Sequence, residues 1–452
     1  MSSDESKPVV LIVGAGLGGL LLGALLERID IPYFIFERAS KVKPLGSAMS
    51  LGVNILPVFE QLGLMEELKK FSYPCPTMTI VNPEMKKLGS VSLGMDTILF
   101  ARPHLYDLLL KQVPPHKINF GKKVLQTEEK EDKVYIHCAD NSTYEGDILV
   151  GADGAYSGVR QSLYRRLNEQ GILPKSDLAE MDVGYTCMVG VTSPQDPEKY
   201  PQLKNEVVDF EAVVGDKLLG WGTYNIPDNQ ICWILLKQFE NNADSREQHF
   251  RNSEWGPETN EAMIKEFYNL PCPFGGKMGD MIDATPTELI SKVYLEEKLF
   301  DTWHHGRMVL VGDSCHKMLP GAGQGAINAM QDAVILSNCL YDLPDKSAKN
   351  VKAAFEDYFE QRYQPTKKIY EFSAVISSVL AGQTFKEKVL RKIVLDFMPT
   401  WLEQHNYTKQ AAYRPQITWM PFAVNNGTGP VLPQKPSKRY AQEKTAGKVA
   451  AI

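Results

Sequence analysis

The run from Pro8 to Leu26 constrains this chain more than any other segment, because it carries no charged residue yet divides into three unlike parts. A β-rich stretch at 9–13 is followed by a glycine-rich stretch at 14–19 and a helix-forming stretch at 20–28. By length and hydropathy the run could cross a membrane. A buried parallel strand with a helix packed on it gives the same hydropathy, and we favour that interpretation.

The glycines in this run form the pattern Gly14-x-Gly16-x-x-Gly19. The pattern permits a tight turn, close approach of the backbone to a pyrophosphate, and close packing of a helix on a strand. A second predicted strand, 33–37, ends in Glu37, where a carboxylate can accept hydrogen bonds from a ribose diol. Glycine-rich turns also occur for packing alone. The flanking elements and Glu37 favour an adenine dinucleotide site, without choosing between FAD and NAD(P).

Two later segments place an aspartate directly after a predicted buried strand. Residues 147–151 precede Asp153, and residues 308–312 precede Asp313. For Asp153 an ordinary Asp-Gly turn is the alternative. Asp313 can accept hydrogen bonds from ribityl hydroxyls, and the glycines after it let the backbone approach a flat ring. The N-terminus of the next predicted helix would favour the anionic edge of a reduced flavin.

The three motifs, in this order, resemble those of class A FAD-dependent monooxygenases, the para-hydroxybenzoate hydroxylase type. The resemblance covers most of the chain, and the segment 303–318 is most similar to fungal meroterpenoid epoxidases and salicylate-hydroxylase-like enzymes. Segments 47–50 and 319–322 depart from the family pattern. The resemblance implies an α/β fold, α+β overall, with a Rossmann-like FAD-binding domain, an inserted antiparallel β-sheet substrate domain and C-terminal helices.

The resemblance also implies which residues hold FAD. Arg102, before a predicted helix, matches the arginine that braces FAD in the family, and a solvated arginine at a helix start is the alternative. The other candidate cofactor residues lie in the glycine loop, at strand ends and in the late loop: Gly14, Gly16, Gly19, Glu37, Ser50, Asp153, Gly312, Asp313, Gly323, Gly325 and Ala326.

The predicted domains are interrupted along the chain. The FAD-binding domain takes residues 1–75, 100–180 and 290–365, and the substrate-binding sheet domain takes 76–99 and 181–289. A C-terminal helical extension follows at 366–429, and a disordered tail is expected at 430–452. The helix before Pro365 is expected to end or kink there.

Aromatic residues of the sheet domain are candidates for the wall of a substrate chamber: Tyr185, Trp221, Tyr224 and Trp233. Sheet aromatics more often belong to a plain core. Tyr224 is the candidate for a hydrogen bond to substrate, and no catalytic residue is otherwise assigned. The turn-rich segment 269–276 is expected to cap the chamber.

The family activity would use NADPH or NADH as hydride donor and O2 as oxidant. One oxygen atom would pass through a flavin C4a-hydroperoxide into an aromatic or prenylated apolar substrate, by hydroxylation or epoxidation. A flavin-dependent reductase without oxygen transfer and a catalytically silent flavin-binding regulatory protein are the alternatives. Few acid–base candidates are present, which leans towards epoxidation. His316 is better explained as a structural or solvent-facing residue than as a base.

Composition restricts the remaining partners. With 49 basic and 55 acidic residues the net charge is −6, which argues against a nucleic-acid partner. The seven cysteines are scattered and never spaced as Cys-x-x-Cys, so we expect neither a metal nor disulfides, and a reducing, cytoplasmic compartment. We expect no transmembrane anchor. Peripheral membrane contact by the C-terminal helices, and a monomer or homodimer, remain open.

Overall fold

A computed structural model describes residues 7–41, 48–94, 96–215, 218–239, 258–381, 388–389, 391–393, 411–424, 427 and 429–447. Helices α1 to α11 span Leu17–Arg28, Leu56–Gln61, Met65–Lys70, Arg102–Leu110, Gly158–Glu169, Lys175–Leu178, Glu258–Phe267, Met278–Asp283, Gly325–Tyr341, Ala348–Ala381 and Lys438–Thr445. Strands β1 to β20 span Val10–Val13, Tyr33–Glu37, Ala48–Leu51, Tyr73–Pro74, Thr77–Val81, Lys87–Ser92, Ile98–Ala101, Ile118–Phe120, Val124–Lys130, Lys133–Cys138, Thr143–Gly146, Ile148–Gly151, Asp182–Val191, Phe210–Val214, Leu219–Ile226, Gln230–Gln238, Ser291–Leu299, His304–His305, Met308–Leu310 and His316–Lys317.

A mostly parallel sheet forms one half of the fold, with strand order β18-β19-β12-β1-β2-β8. Strands β19, β12, β1, β2 and β8 run parallel, and only β18 is antiparallel to its neighbour. Every residue of β1 and β12 is buried, as expected for a sheet covered on both faces. The mixed α/β architecture and the predicted first strand, glycine turn and helix are confirmed.

Helix α1 packs against the sheet and against α9 through residues that have no side chain. A Cβ atom at Gly18 would lie 3.1 Å from the Ala329 carbonyl oxygen, and one at Gly23 would lie 2.9 Å from Ile35 Cδ1. The apolar run that could have been a membrane span is therefore divided between β1 and α1. None of the helices in the described part of the chain combines the length and the apolar run that crossing a bilayer requires.

A larger sheet of eight strands forms the other half, in the order β20-β17-β13-β16-β15-β14-β5-β6. Neighbouring strands are antiparallel except for the parallel pair β14 and β5. Strands β5 and β6 lie in this sheet. The prediction placed β17 in the cofactor domain, but β17 pairs along its length with β13, since β13 would otherwise expose an unpaired edge.

The two faces of this sheet have different neighbours. Trp221 and Trp233 lie on the face covered by α7 and α8, where the Trp221 indole donates to the Pro271 carbonyl at 2.8 Å and the Trp233 indole to Thr285 Oγ1 at 2.8 Å. The segment 269–276 packs on the same face. We predicted that these tryptophans line a substrate chamber and that the segment caps it, and both predictions are wrong. Alternation along a strand shows which residues share a face, but not which layer covers that face.

Helix α10 continues through Pro365, so it does not end at the proline. The buried side chains Arg362 and Thr366 hold the helix on either side of the proline. Residues 366–381 therefore extend α10 rather than begin a separate helical extension. A further helix, predicted from the sequence at 389–401, lies mostly outside the described residues.

The tail prediction is wrong for residues 430–447. Helix α11 is joined to the end of α9, where Ser437 Oγ donates to Asp342 Oδ1 at 2.5 Å and Glu443 accepts a hydrogen bond from Tyr341. Arg439 lies over the Tyr341 ring, with Cζ 4.7 Å from the centroid. These specific contacts offset the low hydrophobicity that predicted disorder.

Truncation tests this packing. A chain that ends at Gly429 loses α11, and we expect its melting temperature to fall by about 2–4 °C, because several hydrogen bonds to α9 are lost. A chain that ends at Gly447 keeps these contacts and should melt like the full-length protein. Calorimetry that finds the two truncations equal would contradict the assignment.

Candidate cofactor site

Four sequence-predicted residues meet at one edge of the parallel sheet. Gly14 follows β1, Glu37 ends β2, Asp153 follows β12 and Asp313 follows β19. These four strands run parallel, so their carboxyl ends share that edge. The carboxyl edge of such a sheet is where open α/β folds bind ligands.

The glycine loop has the geometry that a phosphate site needs. Gly14 adopts φ +107, where an added Cβ would lie 2.3 Å from the Ala152 carbonyl oxygen, and at Gly19 a Cβ would lie 2.1 Å from the Gly14 oxygen. Gly16 differs from both, because it is exposed and a Cβ there would contact nothing within 4 Å. The first and third glycines therefore serve packing, and the second leaves open space beside the N-terminus of α1.

Glu37 contacts the glycine loop directly. Its Oε2 accepts the backbone N–H of Ala15 at 2.9 Å, and its Oε1 accepts that of Ala39 at 2.9 Å. The two bonds fix the carboxylate, and each oxygen keeps a further lone pair for a hydroxyl donor.

Asp153 is held at the start of α5 through one of its two carboxylate oxygens. Its Oδ2 accepts the N–H of Val159 at 3.2 Å, whereas its Oδ1 is buried and has no partner among the described residues. Burial raises the pKa of Asp153, against the opposing effect of hydrogen bonds from Ser157 and the helix start. An orphaned buried oxygen at this edge fits a bound polar ligand.

Asp313 follows a left-handed residue, Gly312, at φ +64. Lys317 Nζ lies 2.7 Å from Asp313 Oδ2, with side chains 22% and 33% exposed. Burial acts to raise the pKa of Asp313, but Lys317, His316 and Arg102 together lower it below its usual value. Arg102, the first residue of α4, thus lies within electrostatic reach of the Gly-Asp turn.

The late loop turns again before α9. Gly323 adopts φ +63, and a Cβ there would lie 3.4 Å from Ser50 Oγ, so two predicted residues from distant segments are neighbours. Gly325 and Ala326 begin α9, whose N-terminus has no side-chain cap among the described residues. Its free N–H groups are available to an acceptor.

His316 faces the core. Its Nε2 lies 2.6 Å from Asp332 Oδ2, and neither side chain is exposed, which agrees with a structural histidine. Cys315, His316 and Asp332 place ligand atoms within 4.8 Å of one another. We assign no metal to this cluster, because Asp332 is already paired with the Arg362 guanidinium, and burial keeps the pKa of Cys315 well above its usual value.

An apolar cluster connects the late loop to the larger sheet. Leu319 of the loop packs with Tyr185, Cys187 and Val189 of β13 and with Leu295 of β17. This sheet face is opposite the one that carries Trp221. Burial raises the pKa of Cys187 to about 12, so its thiol is neutral at physiological pH.

Tyr224 lies in a second cluster on this side of the sheet. It packs with Leu99 and Ala101, which directly precede Arg102, and its ring centroid is 4.8 Å from that of Phe210. Two of the four predicted aromatics, Tyr185 and Tyr224, therefore lie towards the cofactor residues.

Three residues of this region had no role in the sequence prediction: Lys317, Asp332 and Arg362. Lys317 could have been found, since it stands four residues after Asp313 and carries the opposite charge. Asp332 and Arg362 lie on separate helices, and no local spacing connects them to the loop.

A family model described as an FAD binding domain matches residues 7–193 and 276–373. The two segments include every candidate cofactor residue named above. The unmatched interval between them, 194–275, contains strands β14, β15 and β16 of the eight-stranded sheet and helix α7.

Similar proteins match over most of the chain. The FAD-dependent monooxygenase ptmM of Penicillium ochrochloron is 30% identical over 387 residues, which cover 82% of this chain and 88% of that protein. The FAD-dependent monooxygenase atmM of Aspergillus flavus is 26% identical over 443 residues, covering 94% and 89%. The crystal structure of Klebsiella pneumoniae HpxO complexed with FAD and uric acid has a TM-score of 0.67 at 20% identity, covering 89% of this chain and 95% of that one.

Two glycine substitutions should distinguish a glycine that is needed for packing from one that leaves space for a ligand. Gly19→Ala should destabilise the FAD-free protein by about 3 kcal/mol, because its Cβ would overlap the Gly14 carbonyl. Gly16→Ala should change stability by less than about 0.5 kcal/mol. Urea unfolding measures both, and equal losses would contradict the distinction.

The Lys317–Asp313 pair should give a pH-dependent contribution to stability. Asp313 has a lowered pKa when folded, so its stabilisation is present above the unfolded pKa and is lost as pH falls through the folded pKa. At pH 7, Lys317→Met should cost roughly 0.5–1 kcal/mol. The loss should shrink below about pH 4.

Lys352→Met is the matched control for this pH series, because Lys352 forms an exposed pair with Glu356. It should cost little at any pH. If the Lys317 variant loses as much stability at pH 3 as at pH 7, the charge of Lys317 is not the cause of the loss.

Proposed function

Since this chain belongs to the FAD binding domain family and to the FAD-dependent monooxygenases within it, we propose that it oxygenates an apolar substrate at the expense of NADPH or NADH. When bound, FAD supplies the redox chemistry, accepting a hydride and activating O2. The observation that carries the proposal is the meeting of the glycine loop, Glu37, Asp153 and Asp313 at one sheet edge. The protein's own task is to bind, orient and exclude water.

The adenine half of FAD fits the first two strand ends. The exposed backbone at Gly16 and the N-terminus of α1 suit a pyrophosphate, whose negative charge the helix dipole stabilises. Glu37, held by two backbone N–H groups, suits the ribose hydroxyls. Arg102 supplies a guanidinium for phosphate or ribose oxygens.

The flavin half fits the third and fourth strand ends. Asp313, kept ionised by Lys317, suits the ribityl hydroxyls. Asp153 Oδ1, which has no partner in the part of the chain that the structure describes, suits another polar group of the cofactor. Gly323 beside Ser50 lets the backbone approach a planar ring. The uncapped N-terminus of α9 would stabilise negative charge on the ring edge.

We propose that the substrate binds beside the Leu319 cluster, on the side of the larger sheet that carries Tyr185 and Tyr224. The side chains of the Leu319 cluster are apolar or neutral, so they exclude water and bind through surface burial. Positioning an alkene needs no base, whereas hydroxylating a phenol often uses one. The apolar side chains suit a prenyl alkene, and we propose epoxidation.

The test is a stoichiometry measurement on FAD-loaded protein with a prenylated phenol and its non-prenylated parent. We expect NAD(P)H oxidation, O2 uptake and product in a 1:1:1 ratio, with one labelled atom from 18O2 in the prenyl group. Product labelled on the ring would replace epoxidation by hydroxylation. NAD(P)H-driven reduction of the substrate without O2 uptake would identify a reductase, and bound FAD that NAD(P)H never reduces would identify a silent binding protein.

The FAD site has its own test. Gly16→Ala should bind FAD about tenfold more weakly than the parent protein, because the added methyl occupies the pyrophosphate space. Fluorescence titration of FAD into the FAD-free protein measures this. Unchanged FAD affinity in the Gly16→Ala protein would show that the pyrophosphate does not bind at this loop.

A further inference from the structure

A fully buried ion pair joins α9 to α10. Arg362 Nε lies 2.6 Å from Asp332 Oδ1, and neither side chain exposes any surface. Burial acts to raise the pKa of Asp332, but His316 and Arg362 hold it below the usual value. The carboxylate is therefore ionised at neutral pH.

Asp332 contacts the beginning of the late loop. Its Oδ2 accepts the backbone N–H of Gly312 at 2.8 Å and lies 2.6 Å from His316 Nε2. Gly312 is the left-handed residue directly before Asp313, so this hydrogen bond fixes the Val311–Gly312 peptide at the start of the turn that carries Asp313.

Arg362 contacts the end of the same loop. Its guanidinium donates to the Asn328 carbonyl at 3.2 Å and to Asn328 Oδ1 at 2.9 Å, in the first turn of α9. Between these ends, Ser373 of α10 donates to the Leu319 carbonyl. A single helix, α10, therefore holds the loop 312–328 at its end and its middle, and through Asp332 at its beginning.

Stability gives little reason for such a pair. Removing two charges from water costs about as much as their attraction returns, and apolar replacement of a buried pair is often neutral or stabilising. An apolar pair could not accept the hydrogen bond from the Gly312 N–H, so it could not fix the orientation of that peptide. Without these hydrogen bonds, FAD would have to order the loop when it binds. The free-energy cost of this ordering would weaken the affinity for FAD.

We propose that Arg362 and Asp332 are positioning residues for the cofactor, which preset the loop 312–328 so that Asp313 and the N-terminus of α9 meet the flavin half. The inference rests on the proposed FAD site, because it assumes that Asp313 contacts FAD.

The test uses the double variant Asp332→Leu/Arg362→Met, which removes both charges at similar total volume. We expect its FAD-free form to melt within a few degrees of the parent protein and its FAD Kd to rise about tenfold, since the Gly312 N–H has lost its acceptor. The visible circular dichroism of the bound flavin should change as well. A folded double variant with an FAD Kd within twofold of the parent value overturns the proposal.

Asp332→Asn keeps the size and shape of the side chain and serves if the double variant does not fold. We expect its FAD Kd to rise about fivefold, and an unchanged Kd again overturns the proposal. Arg307→Met is the matched control, because Arg307 is also buried but donates to the Asp147 and Lys346 carbonyls at the other end of β19. It should lower the melting temperature without changing FAD affinity.

Asp313→Ala separates this inference from the proposed function. Weaker FAD binding in Asp313→Ala with unchanged binding in the double variant would refute the positioning role alone. Unchanged binding in Asp313→Ala would overturn the FAD site itself, and the positioning role with it.

Discussion

Helix α1 can lie where it does only because three of its residues lack side chains. At Gly19 a Cβ would come within 2.1 Å of the Gly14 oxygen, and at Gly18 and Gly23 it would meet α9 and β2. This close packing brings the N-terminus of α1 and the beginning of α9 to the same edge of the parallel sheet. Two helix dipoles and four strand ends can then act on one ligand. A larger residue at Gly19 would displace the helix and disperse these groups.

Two carboxylates act on the late loop in opposite ways: Asp313 belongs to the loop, whereas Asp332 of α9 binds its first residue, Gly312. Asp313 points to a partly exposed lysine and is available to a ligand, whereas the Gly312 N–H is directed to Asp332 in the core. Each carboxylate is kept ionised by its own cation. The turn is thus fixed from inside while its outer face stays free to bind.

The sequence allowed prediction of those parts of the site that depend on neighbouring residues. The glycine loop, Glu37 and the Asp153 and Asp313 turns each lie within a few residues of a strand whose apolar run identifies it. Trp221 and Trp233 were misplaced because period-two alternation does not tell which face meets which layer. Asp332 and Arg362 were missed because their partners come from helix packing. Residues 430–447 were misjudged because composition does not reveal a specific contact such as that between Ser437 and Asp342.

Strand β20 belongs at once to the late loop and to the larger sheet. His316 and Lys317 pair with Leu299 and Lys298 of β17, and the Phe300 N–H donates to the Cys315 carbonyl at 3.1 Å. The position of the loop therefore depends on the register between β20 and β17. A shift of this register by one residue would turn every side chain of the strand to the opposite face. Anyone who builds a chimaera by grafting a relative's substrate sheet onto this scaffold would therefore have to transplant β17 and the late loop as one piece.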